Sequence, residues 1–249
     1  MQVGDHDCRV LVDSGIGVTI IATATADAVG ATDLGRTFSG KRMSGQEVTV
    51  PLVRLPDVTI GGYVVSDHVA GVIDLGSTGS GATFDGILGL DLFAAACLTV
   101  DPHAQVIVVS DSPPTDGVVV PVEVRRDDGS VAMYTDLELP DGQVVRVEVD
   151  TGSQALILDD RYLAACGVAD GDPRMEVRQG TDETGYVYTR RFIDIEGAVR
   201  IPGEPCTAQQ SPRVQFQQIT YDGLIGTAFL DRFRYTFDVR GEQIVLEPW

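Results

Sequence analysis

The amino-acid sequence predicts an all-β protein of two related lobes with short helices. Three observations predict this fold class. Motifs recur along the 249 residues at one constant offset, short runs of β-branched residues alternate with turn residues, and a segment rich in proline and glycine separates the two sets of motifs. Domains usually contain about 100 to 150 residues, so this length fits two of them. We expect a first lobe at residues 1–112 and a second at 113–249.

The repeat consists of three pairs of segments that share an offset of 137 residues (150 − 13 = 137). The pairs are Val12–Gly15 with Val149–Gly152, Phe84–Gly89 with Tyr221–Gly226, and Leu98–Asp101 with Tyr235–Asp238. A single Asp-Ser-Gly or Asp-Thr-Gly is common by chance, but three pairs in one register indicate a duplication. The lobes are therefore expected to be related by a pseudo-twofold axis.

Short β-branched runs bounded by turn residues predict the strands. The clearest are Val48–Val53, Val118–Val124, Val144–Val149 and Ile193–Ile195. Brief apolar patterns predict short helices at Leu90–Cys97 and Ala228–Phe233, directly after the glycine motifs, and at Asp160–Cys166.

The segment Ser110–Gly117 has the composition of a linker and marks the lobe boundary. After it, the second repeat has an extra strand and hairpin from Val118 to Val149, with a turn at Arg126–Gly129. The counterpart of Val118 in the first repeat would lie about 20 residues before Met1 (118 − 137 = −19). Either a preceding segment is missing or the first lobe lacks this strand, which would expose a sheet edge.

Composition argues against several classes of function. A net charge of −19 opposes binding to nucleic acid or to anionic membranes, because both require basic residues that neutralise phosphates. No apolar stretch approaches the roughly 20 residues of a membrane span. The first residues lack the basic and apolar regions of a signal peptide, which favours the cytoplasm unless an upstream segment is missing.

Cysteine and histidine spacing predicts no metal site. The four cysteines show no C-x-x-C pair: Cys8, Cys97, Cys166 and Cys206. One or two disulfides, with Cys166–Cys206 as the favoured pair, and free buried cysteines are both compatible with the sequence. The three histidines have no ligand spacing and are expected on the surface or in loops: His6, His68 and His103.

Asp13 and Asp150 each follow an apolar strand and precede a hydroxyl residue and glycine, which form a tight turn. Two such carboxyls, if brought together, cannot both ionise, so they share one proton. The ionised carboxyl can then deprotonate a water while the protonated one polarises a carbonyl, without any cofactor. The alternative is a pair of turn-capping aspartates. Asp85 and Asp222, in the second motif, are interpreted as structural turn or N-cap residues.

On these motifs the sequence resembles the aspartic peptidases of the pepsin and retropepsin families, over nearly the whole chain. The resemblance implies the bilobal acid-protease fold, with two closed β-barrel lobes, and a peptide or protein substrate. It implies that Asp13 and Asp150 form the catalytic pair within one chain. It further implies that the active loops are supported by Ser14, Gly15, Thr151 and Gly152.

The resemblance also implies one or two β-hairpin flaps over the cleft. Glycine-bounded segments at 40–45 and 180–185 are the candidate tips. The substrate-binding residues expected there are Met43, Ser44, Gly45, Thr184, Gly185 and Tyr186.

Three departures from the family pattern leave other functions open. Ile16 stands where the family has a small residue, and the first lobe begins about 20 residues short. The first half also offers no flap tyrosine, and Tyr186 beside the second tip is the nearest candidate. A rival to the endopeptidase is therefore a catalytically silent homologue that binds peptides or a partner protein. A third possibility is a chain that becomes competent only with a missing segment or with a second copy that supplies the strand.

Overall fold

The computed structural model describes residues 1–75, 83–181 and 186–249, and it confirms the all-β prediction. We keep the names first lobe and second lobe for the parts before and after the 110–117 segment; the boundary itself stays a prediction. No helix in the described ranges has both the length and the apolar character needed to cross a membrane.

The first lobe contains twelve described strands. They are β1 Gln2–Val3, β2 His6–Asp7, β3 Val10–Val12, β4 Ile20–Ala22, β5 Thr32–Lys41, β6 Glu47–Arg54, β7 Val58–Ile60, β8 Tyr63–Val65, β9 Val69–Ile73, β10 Gly86–Leu88, β11 Cys97–Asp101 and β12 Val106–Ser110. The main sheet has the order β3-β10-β4-β9-β6-β5, and a smaller sheet has the order β2-β1-β7-β8.

The second lobe contains thirteen described strands. They are β13 Val118–Pro121, β14 Glu123–Asp127, β15 Ser130–Glu138, β16 Val144–Val149, β17 Leu156–Asp159, β18 Glu176–Thr181, β19 Val187–Asp194, β20 Ala198–Val199, β21 Gln209–Gln210, β22 Arg213–Gln217, β23 Gly223–Ile225, β24 Phe233–Asp238 and β25 Gln243–Pro248. The main sheet has the order β14-β15-β16-β23-β17-β22-β19-β18, and β20 pairs with β21.

The two main sheets repeat one topology. The six first-lobe strands correspond in order to β16-β23-β17-β22-β19-β18, and the hairpin β14–β15 extends the second sheet beyond them. Its turn residues Asp128 and Gly129 both have positive φ, as a tight hairpin requires. In the described part of each lobe the pairings run from one edge strand to the other, so closure into a barrel stays a prediction.

A fifth sheet, β12-β11-β24-β25-β13, joins the lobes. Strands β11 and β24 are antiparallel, and Thr99 pairs with Thr236 at the centre of their register. The two buried hydroxyls lie 2.8 Å apart and are 137 residues apart in sequence. This pair marks the pseudo-twofold axis, since each threonine is the repeat counterpart of the other.

The helices are shorter than predicted. They are α1 Thr23–Ala28, α2 Thr227–Leu230 and the 3₁₀ turns Leu90–Phe93, Asp160–Tyr162, Ala164–Cys166 and Pro205–Thr207. The predicted helices at 90–97 and 228–233 end early because Cys97 and Phe233 already begin strands of the joining sheet. The strand predictions agree with β6, β13, β14, β16 and β19 within a few residues.

The predicted Cys166–Cys206 disulfide is wrong, because all four cysteines are free. Cys166 is buried, whereas Cys206 is exposed on a separate 3₁₀ turn. His68 lies in a loop, but its side chain is only 11% exposed, and its Nε2 lies 3.4 Å from Asp91 Oδ2. His68 therefore fits the loop alternative of the expectation, with a side chain that is largely buried.

Candidate active site

Asp13 and Asp150 lie at the ends of equivalent strands, one in each lobe. Asp13 follows β3, and its backbone N–H donates to the carbonyl of Leu88 at 2.9 Å. Asp150 follows β16, and its N–H donates to the carbonyl of Ile225 at 3.0 Å. In each lobe the residue just before the second glycine of the glycine motif, Leu88 or Ile225, thus holds the backbone of the aspartate. The spacing from that glycine back to the aspartate is 76 residues in both lobes (89 − 13 = 226 − 150 = 76).

The loops after the two aspartates are interlocked by the hydroxyls of Ser14 and Thr151. The Ser14 N–H donates to Thr151 Oγ1 and the Thr151 N–H donates to Ser14 Oγ, both at 3.0 Å. Each hydroxyl then donates across the lobe boundary, from Ser14 to the Val149 carbonyl at 2.6 Å and from Thr151 to the Val12 carbonyl at 3.0 Å. Four reciprocal hydrogen bonds therefore hold the two loops in one relative position.

Glycine is required after each hydroxyl residue because the opposite carboxyl lies against it. A Cβ on Gly15 would be 2.7 Å from Asp150 Cγ, and a Cβ on Gly152 would overlap the carboxyl of Asp13. Each glycine N–H also donates to the aspartate of its own loop, at 2.9 Å for Asp13 and 2.8 Å for Asp150. The two carboxyls consequently lie side by side, each bordered by both loops.

Burial raises the pKa of both carboxyls. At Asp150 the negative charges of Asp13 and of Glu148 raise the pKa further. At Asp13 the Gly15 N–H and a hydrogen bond from Asp150 act in the opposite direction and lower the pKa. Both carboxyls therefore favour the neutral form, and the pair shares one proton because two like charges this close cannot both ionise.

Comparison with known proteins agrees with this geometry. The aspartyl protease family model matches residues 1–92. An aspartic proteinase from Irpex lacteus has a TM-score of 0.52 over 97% of this chain and 90% of its own, with 12% sequence identity. Residues 1–92 are therefore similar to aspartyl proteases, and the fold of the chain resembles that of an aspartic proteinase. A retropepsin-like aspartic protease from Rickettsia conorii matches with 16% identity and a TM-score of 0.37, over 53% of this chain and 89% of its own. No curated protein matches the sequence significantly.

Ile16, the bulky residue of the first loop, leaves that loop with the same backbone hydrogen bond as the equivalent loop of the second lobe. Its side chain packs with the cluster of Val18, Ile20 and Val50. Its N–H lies 3.4 Å from the Asp13 carbonyl, and the equivalent Ser153 N–H lies 3.3 Å from the Asp150 carbonyl. The larger side chain is therefore accommodated inside the first lobe.

A third acidic residue, Glu148, lies beside the pair and was missed by sequence reasoning. Side chains alternate along β16, so Glu148 and Asp150 occupy one face while the fully buried Val147 and Val149 occupy the other. Burial is the main cause that raises the pKa of Glu148 to about 7, and the charge of Asp13 adds to it. The signal was present in the sequence, since a charged residue on the active face interrupts a run of valines.

The first hairpin, β5–β6, brings its tip to the second lobe. The Met43 carbonyl accepts hydrogen bonds from the Thr220 N–H at 3.0 Å and from its hydroxyl at 3.4 Å. The Met43 side chain packs against a second-lobe cluster formed by Ile157, Ile219 and Leu224. The tip therefore spans the two lobes next to the glycine motif of the second lobe.

The other described residues predicted to bind substrate are Ser44, Gly45 and Tyr186. Ser44 Oγ donates to Gln46 at 3.4 Å, and Gly45 adopts a φ of +84° and approaches Thr220. In the second lobe, Tyr186 directly precedes β19 at the turn end of the hairpin β18–β19 and lines a polar pocket. Two further predicted substrate-binding residues lie outside the described ranges: Thr184 and Gly185.

Asp85 and Asp222 have the structural role expected of them, although neither is an N-cap. Asp85 accepts from the Arg9 N–H at 2.7 Å, and Asp222 accepts from the Arg146 N–H at 2.9 Å. These are counterparts in the repeat, and each bond ties the glycine motif to the strand that leads to the aspartate of its lobe. The residues at the helix N-caps are Gly89 and Gly226.

Proposed function

We propose that this chain is an aspartic endopeptidase that hydrolyses peptide bonds with a water activated between Asp13 and Asp150. The observation that carries the proposal is the reciprocal interlock of Ser14 and Thr151, which fixes two half-buried carboxyls side by side from opposite lobes. Two turn-capping aspartates would not require this arrangement. The match to the aspartyl protease family and the fold both support a peptidase-like function.

The reaction proceeds by direct attack of water on the scissile carbonyl. Asp13, ionised, takes a proton from the water, while the proton on Asp150 is donated to the carbonyl oxygen, so a neutral tetrahedral diol forms. The proton on Asp13 then passes to the leaving nitrogen and the diol returns a proton to Asp150. The C–N bond breaks, and the pair regains its starting state with one shared proton. No cofactor takes part in this sequence.

The substrate is a peptide or protein segment bound in extended form between the lobes. An extended peptide is recognised through its main-chain hydrogen bonds and through alternate side chains. Met43, Ser44 and Gly45 at the tip of the β5–β6 hairpin face the second lobe and would cover such a segment. We propose that Tyr186, with Thr184 and Gly185, serves the second hairpin in the same way.

The rival is a catalytically silent homologue that binds a peptide through the same cleft. Ile16 was the main argument for it, and its packing inside the first lobe weakens that argument. The active loops keep equivalent hydrogen bonds in both lobes, which favours the enzyme.

Cleavage of a mixed peptide library between about pH 3 and 7 tests the proposal. We expect cleavage that a hydroxyl-containing peptide inhibitor of the pepstatin type blocks. Asp13→Asn and Asp150→Asn should each lower kcat by about 10²- to 10⁴-fold, because each removes one partner of the acid–base pair.

The matched control is Asp128→Asn, an exposed turn residue with positive φ that asparagine tolerates. It should retain full activity. Cleavage that survives either active-loop substitution contradicts the mechanism. Folded protein that binds the inhibitor yet cleaves no library peptide indicates the silent binding module.

A further inference from the structure

The two sides of the cleft differ at two pairs of equivalent positions. Glu148 lies two residues before Asp150, and its repeat counterpart, two residues before Asp13, is Leu11 (148 − 137 = 11). Likewise Tyr221 corresponds to Phe84 (221 − 137 = 84). The first-lobe side is therefore apolar at these positions, whereas the second-lobe side carries a carboxyl and a phenol.

The surroundings of Glu148 form an acidic, aromatic wall. Tyr134 faces Glu148 directly across the β15–β16 pairing, and the Tyr134 ring meets the Tyr221 ring edge to face, with centroids 6.4 Å apart. Tyr221 lies close enough that its hydroxyl, as a hydrogen-bond donor, lowers the pKa of Glu148. Tyr221 and Met43 of the hairpin tip both pack against the cluster of Ile157, Ile219 and Leu224. Glu148 is thus close to the carboxyl pair, and its neighbour Tyr221 shares that cluster with the tip.

The positive charge nearest to this wall is already engaged elsewhere. Arg125 stacks on the Tyr134 ring at 4.0 Å and pairs with the exposed Glu123 at 2.7 Å. Arg125 lowers the pKa of Glu148 only through its charge at a distance, as the smallest of four causes. Glu148 is 8% exposed, lies on the face of β16 that leads to Asp150, and forms no ion pair within the described residues.

We infer that Glu148 makes the second-lobe side of the cleft a subsite for a lysine or arginine side chain next to the scissile bond. This inference rests on the proposed peptidase function and names its substrate class. A cation placed there would be attracted by Glu148 and by the ionised member of the carboxyl pair. The apolar first-lobe side would take an aliphatic or aromatic residue.

The preference should depend on pH in a definite direction. The groups facing Glu148 are Asp13, Asp150, Tyr221, Tyr134 and Arg125. With a pKa of about 7, Glu148 is neutral in acid and charged above neutrality, so the subsite gains its negative charge as pH rises. Discrimination between a basic residue and an uncharged one of the same shape should therefore increase from pH 5.5 to pH 8.

Binding of non-cleavable peptides tests the subsite without relying on turnover. Each peptide carries a hydroxyl group in place of the scissile bond and has either lysine or the uncharged isostere norleucine at one flanking position, and the flanking positions are scanned in turn. Calorimetry at pH 8 should find one position at which wild-type protein binds lysine about tenfold more tightly than norleucine. This ratio should shrink at pH 5.5, and it should fall to about one in Glu148→Gln.

Glu196→Gln is the control, since it removes the same charge from a side chain that is 88% exposed on the same lobe. It should keep the wild-type ratio. An equal ratio in wild type and Glu148→Gln at every position overturns the inference. If Glu148→Gln does not fold, a wild-type ratio that is the same at pH 5.5 and pH 8 overturns it instead. If wild-type protein binds lysine more tightly than norleucine but cleaves no library peptide, the proposed peptidase function is refuted and the subsite is retained.

Discussion

At the scale of single residues, the buried carboxyls dominate the electrostatics of the chain. Each is stabilised in its neutral form by burial, and a neutral carboxyl is what the proposed proton sharing needs. Glu148 differs from the other two, because among the described residues its hydrogen-bonding neighbour is the Tyr221 hydroxyl and not a glycine N–H. Burial of Glu148 therefore affects the stability of the fold as well as the charge beside the carboxyl pair.

We expect Glu148→Gln to stabilise the protein at pH 8 by about 3 kcal/mol and to have little effect at pH 4. The pKa of Glu148 is about 7 in the folded protein, above its ordinary value of 4.5. The contribution of neutral Glu148 to the free energy of unfolding is therefore complete below about pH 4.5 and is lost as pH rises to about 7. Glutamine does not ionise and escapes this loss. Denaturant unfolding between pH 4 and 8 measures it, with Glu196→Gln as the control; parallel stability curves for wild type and Glu148→Gln would contradict the expectation.

The repeat was sufficient to select Asp13 and Asp150, because a shared offset identifies residues that a pseudo-twofold axis brings together. The role of Ser14 and Thr151 came from the resemblance to aspartic peptidases. Glu148 has no acidic counterpart in the first lobe, so the repeat gave no reason to select it. Thr220 was also missed, since its role depends on where a hairpin from the other lobe ends.

At the scale of elements, strands were easier to predict than helices. The alternating runs set β6 and β16 within one residue of their observed ends, while the apolar patterns after the glycine motifs were extended too far. A sequence window cannot show that Phe233 is already committed to a joining strand. The β5–β6 hairpin was predicted from its glycines, but its attachment to the second lobe depends on tertiary contacts.

Met43→Ala should loosen that attachment without affecting the rest of the fold. The side chain packs on the second-lobe cluster, and its loss removes apolar contact that holds the Met43 carbonyl against the Thr220 N–H. We expect hydrogen exchange at the Thr220 amide to accelerate roughly tenfold, with the global unfolding free energy nearly unchanged.

The control for the hairpin is Val187→Ala, which shortens a side chain that is 71% exposed at the start of β19. Exchange at Thr220 should be unaffected by it. If Met43→Ala also leaves that exchange unchanged, then the tip is held by its backbone hydrogen bonds and not by packing.

At the scale of the whole molecule, the duplication fixes where the two lobes meet. Thr99 and Thr236 pair on the axis of the joining sheet, and Ser14 and Thr151 pair on the axis of the candidate site, so both contacts join equivalent residues of one chain. The lobes differ in the hairpin β14–β15, which has no counterpart among the described first-lobe strands. This asymmetry kept open the possibility that a second copy completes the site.

Mixing two inactive variants tests whether one chain is sufficient. Asp13→Asn and Asp150→Asn are unfolded together and refolded, and the mixture is assayed against each variant refolded alone. We expect no activity beyond the sum of the separate variants, because the interlock joins the two loops of the same chain. If sites formed between copies instead, random pairing would restore about a quarter of wild-type activity. Wild-type protein taken through the same refolding and diluted fourfold sets that level, and recovery to it would show that the competent form is a pair of chains.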